Sequence, residues 1–502
     1  MKDNTVLLNW DGDCEYFFLK NLENWEDLPG KAAAYLDTYY KDQGIGDILF
    51  NIFAQNSVTP SCVFTDRATK FLQKEENGIG VDYSENKMLG LVYKAQQEYS
   101  FEPIHFWVTH CKKIGIRPWI SIRMNDNHYR DDETGWIRSD FFYEALEKGW
   151  FLGKKYRSSY RNFNYAVPEV RQKMLDYIEE QLNAYDVYGI ELDFMREPKC
   201  VPYYDDLHCH RHLTAFMGEV RAITEKVAKK WGHPIKIAAR VPRDPELCRK
   251  IGFDTEAWAK NGCVDAVSPA GHWLCNDTDM PIKAWADLLH PYGVEVWAGM
   301  EMNLPQNICI SAETAKAHTA QYAAQGSART HIYNLYHPYL SYITDAGIWH
   351  KTPSVAEIQA VWQVAGDVEK CRKGIRRHVL TEESGGFHDI KERWCPLPVK
   401  IGEGVRFSVP TGPLKSTDKV RLFVGIQNTC PGDLTVTLNG NICPYSDFGM
   451  DANLCIHNPT VKPHTVLAYT ASPQDASPIA QTVSISGNPD GIITYIEIKI
   501  ES

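Results

Sequence analysis

The chain has 502 residues, 44% of them hydrophobic and 23% charged, with a formal net charge of −11. That length and balance fit a globular protein of more than one domain, and the acidic surplus argues against a nucleic-acid-binding surface. The 14 cysteines include no CxxC pair, which reads as reduced thiols rather than a disulfide framework, and no stretch approaches the roughly 20 apolar residues of a membrane span.

The segment Met1-Lys2-Asp3-Asn4-Thr5-Val6 runs straight into a strand with no basic-then-apolar leader, so a soluble cytoplasmic protein with no membrane partner is expected. From there to about residue 350, strand-like apolar runs alternate with helical patterns. The predicted strands are Val6–Asn9, Ile48–Ile52, Arg117–Arg123, Gly189–Phe194, Ile235–Val241, Val264–Ser268, Val294–Ala298 and Thr330–Asn334. Helical patterns Glu102–Ile114, Pro168–Ala184 and Phe216–Trp231 precede the third, fourth and fifth. Eight strands separated by helices predict an α/β fold, a (β/α)8 TIM barrel over residues 1–374. Two connections are long, Gln55 to Phe101 and Met124 to Val167. Both follow strand C-terminal ends and are expected to wall the active face. Their aromatics, including Trp136, Phe141, Phe142, Tyr156 and Tyr160, are candidates for stacking on a substrate.

Near Arg376 the pattern changes. Gly404–Val409, Lys419–Ile426, Leu434–Leu438, His464–Tyr469 and Ile492–Ile500 are short alternating runs, separated by turn signals such as Asn439-Gly440 and Pro489-Asp490-Gly491. Residues 375–502 are therefore expected to form an all-β sandwich, accessory to the barrel.

The chemistry concentrates at strand ends. In Tyr188-Gly189-Ile190-Glu191-Leu192-Asp193-Phe194-Met195-Arg196-Glu197, Glu191 and Asp193 share one parity and point to the same face. In Val294-Glu295-Val296-Trp297-Ala298-Gly299-Met300-Glu301, Glu301 lies at the strand-seven tip and shares a parity with Trp297. Strands four and seven face each other across a barrel mouth. Two carboxylates flanking a sugar is the arrangement that glycoside hydrolysis needs. Asp193, Glu301 and Glu191 are the candidate catalytic residues, Asp193 as acid/base, Glu301 as nucleophile or base, and Glu191 as a tuning group.

Arg123, Arg196 and Arg240 sit at strand tips and can orient those acids or grip an anionic substrate group. Asp11, Asn125, His128, His272, Trp273, Trp297, Tyr333 and His337 complete the candidate carbohydrate-binding set. His208-Cys209-His210-Arg211-His212 lacks an accompanying carboxylate–histidine set with metal-ligand spacing, so neither metal nor other cofactor is expected. No nucleic-acid partner is expected, and the oligomeric state is open, a homo-oligomer included.

The stretch Asn164-Tyr165-Ala166-Val167-Pro168-Glu169-Val170-Arg171 through Tyr185-Asp186-Val187-Tyr188-Gly189-Ile190-Glu191-Leu192-Asp193-Phe194, with Cys111-Lys112-Lys113-Ile114-Gly115-Ile116-Arg117-Pro118-Trp119, resembles the family-10-like glycosyl hydrolases. Tyr188 stands where that group has Asp. The resemblance implies a barrel glycosidase with Asp193 as the strand-four acid. Glu301 matches the strand-seven nucleophile position of retaining barrel glycosidases. The sequence reading is thus a glycosidase that cleaves O-glycosidic bonds of a small oligosaccharide or glycoside, acting from the chain end. Its rivals are a non-catalytic carbohydrate-binding barrel and a lyase or isomerase acting on uronic-acid sugars.

Overall fold

A computed structural model describes residues 5–76, 83–126, 128, 131–271, 276–304, 308–335, 353–380, 397–457, 465–473 and 479–502. Eight parallel strands close a barrel: β1 Val6–Trp10, β2 Ile45–Phe53, β3 Arg117–Arg123, β4 Gly189–Asp193, β5 Lys236–Pro242, β6 Ala266–Ala270, β7 Glu295–Met300 and β8 Arg329–Tyr333, with β8 pairing both β7 and β1. The sixth strand starts two residues later than its apolar run, a shift that preserves side-chain parity.

Period-two alternation divides each strand between two environments. Val6, Leu8, Ile48, Phe50, Ile120, Ile122, Ile190, Leu192, Ile237 and Ile332 face outward and pack under the helices in one continuous core. Of the inward set, Leu7, Leu49, Trp119, Ala238, Ala266 and Trp297 form an apolar floor near the strand N-termini. Gly189 faces inward beside Trp119, and a Cβ there would lie 2.2 Å from the indole ring, so glycine at the head of β4 is what admits the large floor residue. The helix Pro168–Ala184 begins with proline at its first position, where no backbone N–H is needed. It buries Val170, Met174, Tyr177, Ile178 and Leu182.

The two long connections are structured. The first contains helices Arg67–Glu76 and Tyr83–Glu98, and the second contains helix Asp140–Lys148. They are tied to each other: Asn56 Nδ2 donates to the Trp136 carbonyl at 3.3 Å, and Arg138 Nη1 donates to Gln55 Oε1 at 2.5 Å. Phe141, Phe142 and Tyr156 are buried inside these segments. Phe141 packs on Phe64 and Phe163, Phe142 on Phe151 and Tyr156 on Tyr203. They build the wall rather than line it.

Beyond the barrel, strands β9 Ile375–Leu380, β18 Ile492–Glu501, β12 Lys419–Gln427, β16 Thr465–Ala471 and β15 Tyr445–Phe448 lie side by side in one antiparallel sheet, with β10 Val399–Lys400 also on β18. The second sheet is β11 Val405–Pro410, β17 Ala480–Gly487, β13 Leu434–Leu438 and β14 Asn441–Ile442. A shared core of Phe407, Leu422, Val424, Val436, Leu467, Val483, Ile485, Ile496 and Ile498 joins the two sheets. β9 and β17 escape the sequence pattern for physical reasons. β9 carries Arg376-Arg377-His378 because it is the seam with the barrel: Arg377 Nη1 donates to Glu497 at 2.7 Å and its Nε to Glu313 of the barrel helix Ala312–Ala323, while His378 Nδ1 lies 3.0 Å from Gln321 Oε1. β17 is polar, and only Gln481, Val483 and Ile485 turn fully inward.

One buried acid in the barrel wall has a consequence for stability. Glu15, in helix Cys14–Lys20 directly after β1, is fully buried. Burial, and then the charge of Glu102, pushes its carboxyl from 4.5 up to about 8. A carboxyl raised in the folded state is fully tolerated below its unfolded value and costs stability as the pH climbs from about 4.5 to about 8. Glu15→Gln should therefore raise the melting temperature by on the order of 5 °C at pH 8 and by much less at pH 5. Equal shifts at both pH values would contradict a buried ionisable Glu15.

Candidate active site

Three adjacent strands place alternating charges in one register row: Arg123 of β3 pairs with Asp193 of β4, which pairs with Arg240 of β5. All three side chains point into the barrel at the C-terminal end of their strands, as their parity predicts. Asp193 Oδ1 accepts from Arg240 Nη1 at 3.2 Å and from the Met195 amide at 2.8 Å. The other end of the same guanidinium, Nη2, donates to Glu301 just past β7. One arginine thus brings together the acids of strands four and seven. Burial alone would lower Arg240, but the charges of Asp193 and Glu301 outweigh it and hold the guanidinium firmly protonated. Its Cζ lies 3.8 Å from the centre of the Tyr333 ring.

Arg123 extends the network. Nη2 donates to Asp11 at 2.9 Å and to the Tyr333 hydroxyl at 3.1 Å, while Nη1 donates to Asp126 at 3.1 Å. Asp126 also accepts from the His128 backbone at 2.9 Å and lies 2.6 Å from His128 Nδ1; His128 Nε2 in turn contacts Arg196. Burial would raise Asp126, yet His128, Arg196 and Arg123 hold it well below the usual carboxylate range. Asp11 is likewise lowered, with burial opposed by Arg123 and Arg196.

One layer beneath lies a neutral polar girdle. Glu191 Oε1 accepts from Ser121 Oγ at 2.7 Å and Asn9 Nδ2 at 3.3 Å, and its Oε2 lies 3.5 Å from His331 Nε2. His331 Nδ1 sits 2.9 Å from Ser268 Oγ. Burial, and then the Asp193 charge, pushes Glu191 up to about 8, while burial drives His331 well below its ordinary value. Near neutral pH both groups are uncharged. Glu191 therefore lies one layer below the mouth, held by Ser121, Asn9 and His331.

Segment geometry fixes the two ends of the site. Asn276 clamps Glu301, donating from Nδ2 to the Glu301 carbonyl at 2.6 Å and accepting the Glu301 amide at 3.0 Å. The short hairpin Asn303–Leu304 and Ile308–Cys309 follows directly. Leu304 and Ile308 pack with Val379, Phe423, Val466 and Tyr495 of the β-sandwich, so the C-terminal domain buttresses the Glu301 segment.

The structure corrects two sequence expectations. Trp297 lies on the barrel floor, 5.6 Å from the Trp119 ring and donating from Nε1 to Glu295 at 2.8 Å. Parity gave its face but not its height, and three residues separate it from the strand end. It is at the opposite end of the barrel from Glu301 and is not a mouth contact. Asn125 is also not a substrate contact: it is 2% exposed, accepts the Phe163 amide at 2.8 Å and donates to the Phe163 and Lys199 carbonyls, pinning the wall to the segment after β4. His272, Trp273 and His337 lie outside the described residues. The acid pair is enclosed, with Asp193 at 0% and Glu301 at 1% exposure. The solvent-facing rim is formed by Asp11, His128, Arg196 and Glu197. Glu197 and Asp126 stand in the charged and polar runs just past strands four and three but take no role of their own in the sequence reading; Asp126 is the partner of Arg123 and His128.

Among the described residues, no group of three or more His, Cys, Asp or Glu side chains is placed to hold a metal ion, and the cysteines are free thiols. None of the helices there is long and apolar enough to cross a membrane.

No known protein family matches the sequence, and no curated protein does. Among solved structures the chain is similar to a Paenibacillus cycloisomaltooligosaccharide glucanotransferase complexed with cycloisomaltoheptaose, with a TM-score of 0.36 and 9% identity over 99% of this chain and 57% of that one. It is also similar to an α-amylase from Geobacillus thermoleovorans (TM-score 0.39, 9% identity, 97% of this chain and 99% of that one). A third is the isomalto-dextranase of Arthrobacter globiformis (TM-score 0.36, 10% identity, 99% of this chain and 98% of that one). The chain spans little more than half the length of the first.

The shared guanidinium makes a stability prediction. Arg240→Met leaves two carboxylates buried together without their cation and should cost about 3–5 kcal/mol in urea unfolding. Adding Asp193→Asn and Glu301→Gln should restore most of that loss. A single variant as stable as wild type would show that the two acids do not depend on Arg240.

Proposed function

We propose that this protein is a glycoside hydrolase that cleaves the O-glycosidic bond of a small oligosaccharide or glycoside at the C-terminal mouth of its barrel. The observation that carries this reading is the convergence of Asp193 and Glu301, from opposite strands, on the two ends of Arg240. Hydrolysis through an oxocarbenium-like transition state needs anionic carboxylates beside the anomeric carbon. Asp193 Oδ2 is buried and has no hydrogen-bond partner among the described residues. We assign it the attack on the anomeric carbon, a change from the acid/base role expected from sequence. Glu301 stabilises the positive charge that develops on the sugar. Arg240 keeps both in place, which is positioning that need not be supplied during the reaction.

Action on chain ends is supported by the long segments after β2 and β3, which leave the C-terminal ends of adjacent strands and are tied to each other. The β-sandwich acts as an accessory buttress. A cytoplasmic location fits a substrate small enough to be imported. The lyase or isomerase alternative requires an arginine open to a uronate carboxylate, and the forks of Arg123 and Arg240 are already directed at Asp11, Asp126, Asp193 and Glu301. One observation favours a second reading, a non-catalytic carbohydrate-binding barrel: the acid pair is ion-paired and enclosed.

A screen of aryl glycosides against wild type and Asp193→Asn separates the two. The hydrolase reading expects turnover by wild type and a loss of at least ~10²–10⁴-fold in the variant, with the unfolding midpoint little changed. Sugar binding by both proteins without turnover by either would favour the binding barrel.

A further inference from the structure

Arg240 is ion-paired with both Asp193 and Glu301, so a hydrolase built on them still needs another group that gives a proton to the departing oxygen. The other carboxyls at the strand ends are also tied to cations: Asp11 to Arg123, Asp126 to Arg123 and His128, and Asp13 to Arg67. Glu197 is different. It lies four residues beyond Asp193 on the segment that follows β4, and it is half-buried. Among the described residues its carboxyl makes no ion pair and accepts one hydrogen bond, from Ser159 Oγ at 3.3 Å. Its backbone is anchored: Asn162 Nδ2 donates to the Glu197 carbonyl at 3.5 Å and to that of Lys199 at 2.7 Å, and Asn125 holds Lys199 from the other side. The side chain is thus presented at the mouth by a fixed segment.

We propose that Glu197 is the proton donor of the hydrolysis assigned above, an inference that rests on that reading. Its carboxylic acid gives its proton to the glycosidic oxygen as an Asp193 oxygen bonds to the anomeric carbon and the bond from that carbon to the glycosidic oxygen breaks; the bonding electron pair stays with the oxygen, which leaves as an alcohol. The Glu197 carboxylate then takes a proton from the incoming water as the water oxygen bonds to the anomeric carbon, the bond to Asp193 breaks with its electron pair returning to the carboxylate, and the acid is regenerated. Burial, and then the charge of Asp126, supports this by pushing the carboxyl up to about 7, where a protonated fraction persists at neutral pH.

Leaving-group chemistry tests the assignment. Wild type, Glu197→Gln and Asp193→Asn are assayed on phenyl and 2,4-dinitrophenyl glycosides of the sugar that wild type hydrolyses. A dinitrophenolate departs without a proton and a phenolate needs one. Glu197→Gln should lose ~10²–10⁴-fold in kcat/KM on the phenyl glycoside but stay within about tenfold of wild type on the dinitrophenyl one, and the alkaline limb of its pH profile near 7 should vanish. Asp193→Asn should lose activity on both. Equal losses of Glu197→Gln on both leaving groups, or none on either, would overturn the donor role while leaving the hydrolase reading intact. A wild type inactive on every glycoside would overturn the hydrolase reading and the donor role with it.

Discussion

The architecture of the mouth depends on a single guanidinium. Two carboxylates buried to 0% and 1% exposure would repel each other strongly in a low-dielectric interior without a shared cation. Arg240 resolves this by donating to both from the two ends of its fork, a geometry that lysine cannot reproduce. The guanidinium carbon itself lies 3.8 Å from the centre of the Tyr333 ring, whose hydroxyl is fixed by Arg123. The result is a connected layer of alternating charge that spans β1, β3, β4, β5, β7 and β8.

That layer rests on two others of different character. The floor is apolar, with Trp119 and Trp297 in contact. The middle is polar but uncharged near neutrality, because burial leaves Glu191 protonated and His331 unprotonated. Charge also sits at the opposite end, where buried Asp47 pairs with Arg117 and Arg329, so the girdle separates two charged ends of the barrel, and the acids lie at the end where substrate chemistry takes place in this fold. The neutral girdle limits the number of uncompensated charges beneath the acids. The β-sandwich enters the same argument at Glu301, whose hairpin is packed on the second domain by Leu304 and Ile308. Loosening that contact would move one acid of the pair relative to the other.

Much of this was legible in the sequence because a strand obeys a period of two. Glu191, Asp193, Arg123 and Arg240 all face inward as their spacing predicts, and the eight-stranded barrel followed by β-sheets stands as read. Depth along the barrel was not legible. Trp297 and Glu301 share a face, yet one belongs to the floor and the other to the mouth. Loop residues were harder still, because no periodicity constrains them: Asn125 reads as a hydroxyl ligand and is a backbone clamp. The aromatics Phe141, Phe142 and Tyr156 read as a stacking surface and are the core of a wall. Glu197 stands in the charged run just beyond Asp193, but nothing there sets it apart from its neighbours; its distinction, a carboxyl with no ion pair among the described residues, is visible only in the fold. β9 was hidden because its charges serve the contact with the barrel rather than solvent.

The central claim is that sugar chemistry occurs between Asp193 and Glu301. The most direct measurement is a crystal structure of Asp193→Asn soaked with a glycoside that wild type hydrolyses. The account predicts an intact glycoside at the C-terminal mouth, with its anomeric carbon about 3–3.5 Å from the side chain at position 193 and Glu301 still on Arg240. A sugar bound only elsewhere, with its anomeric carbon out of reach of both residues, would contradict it.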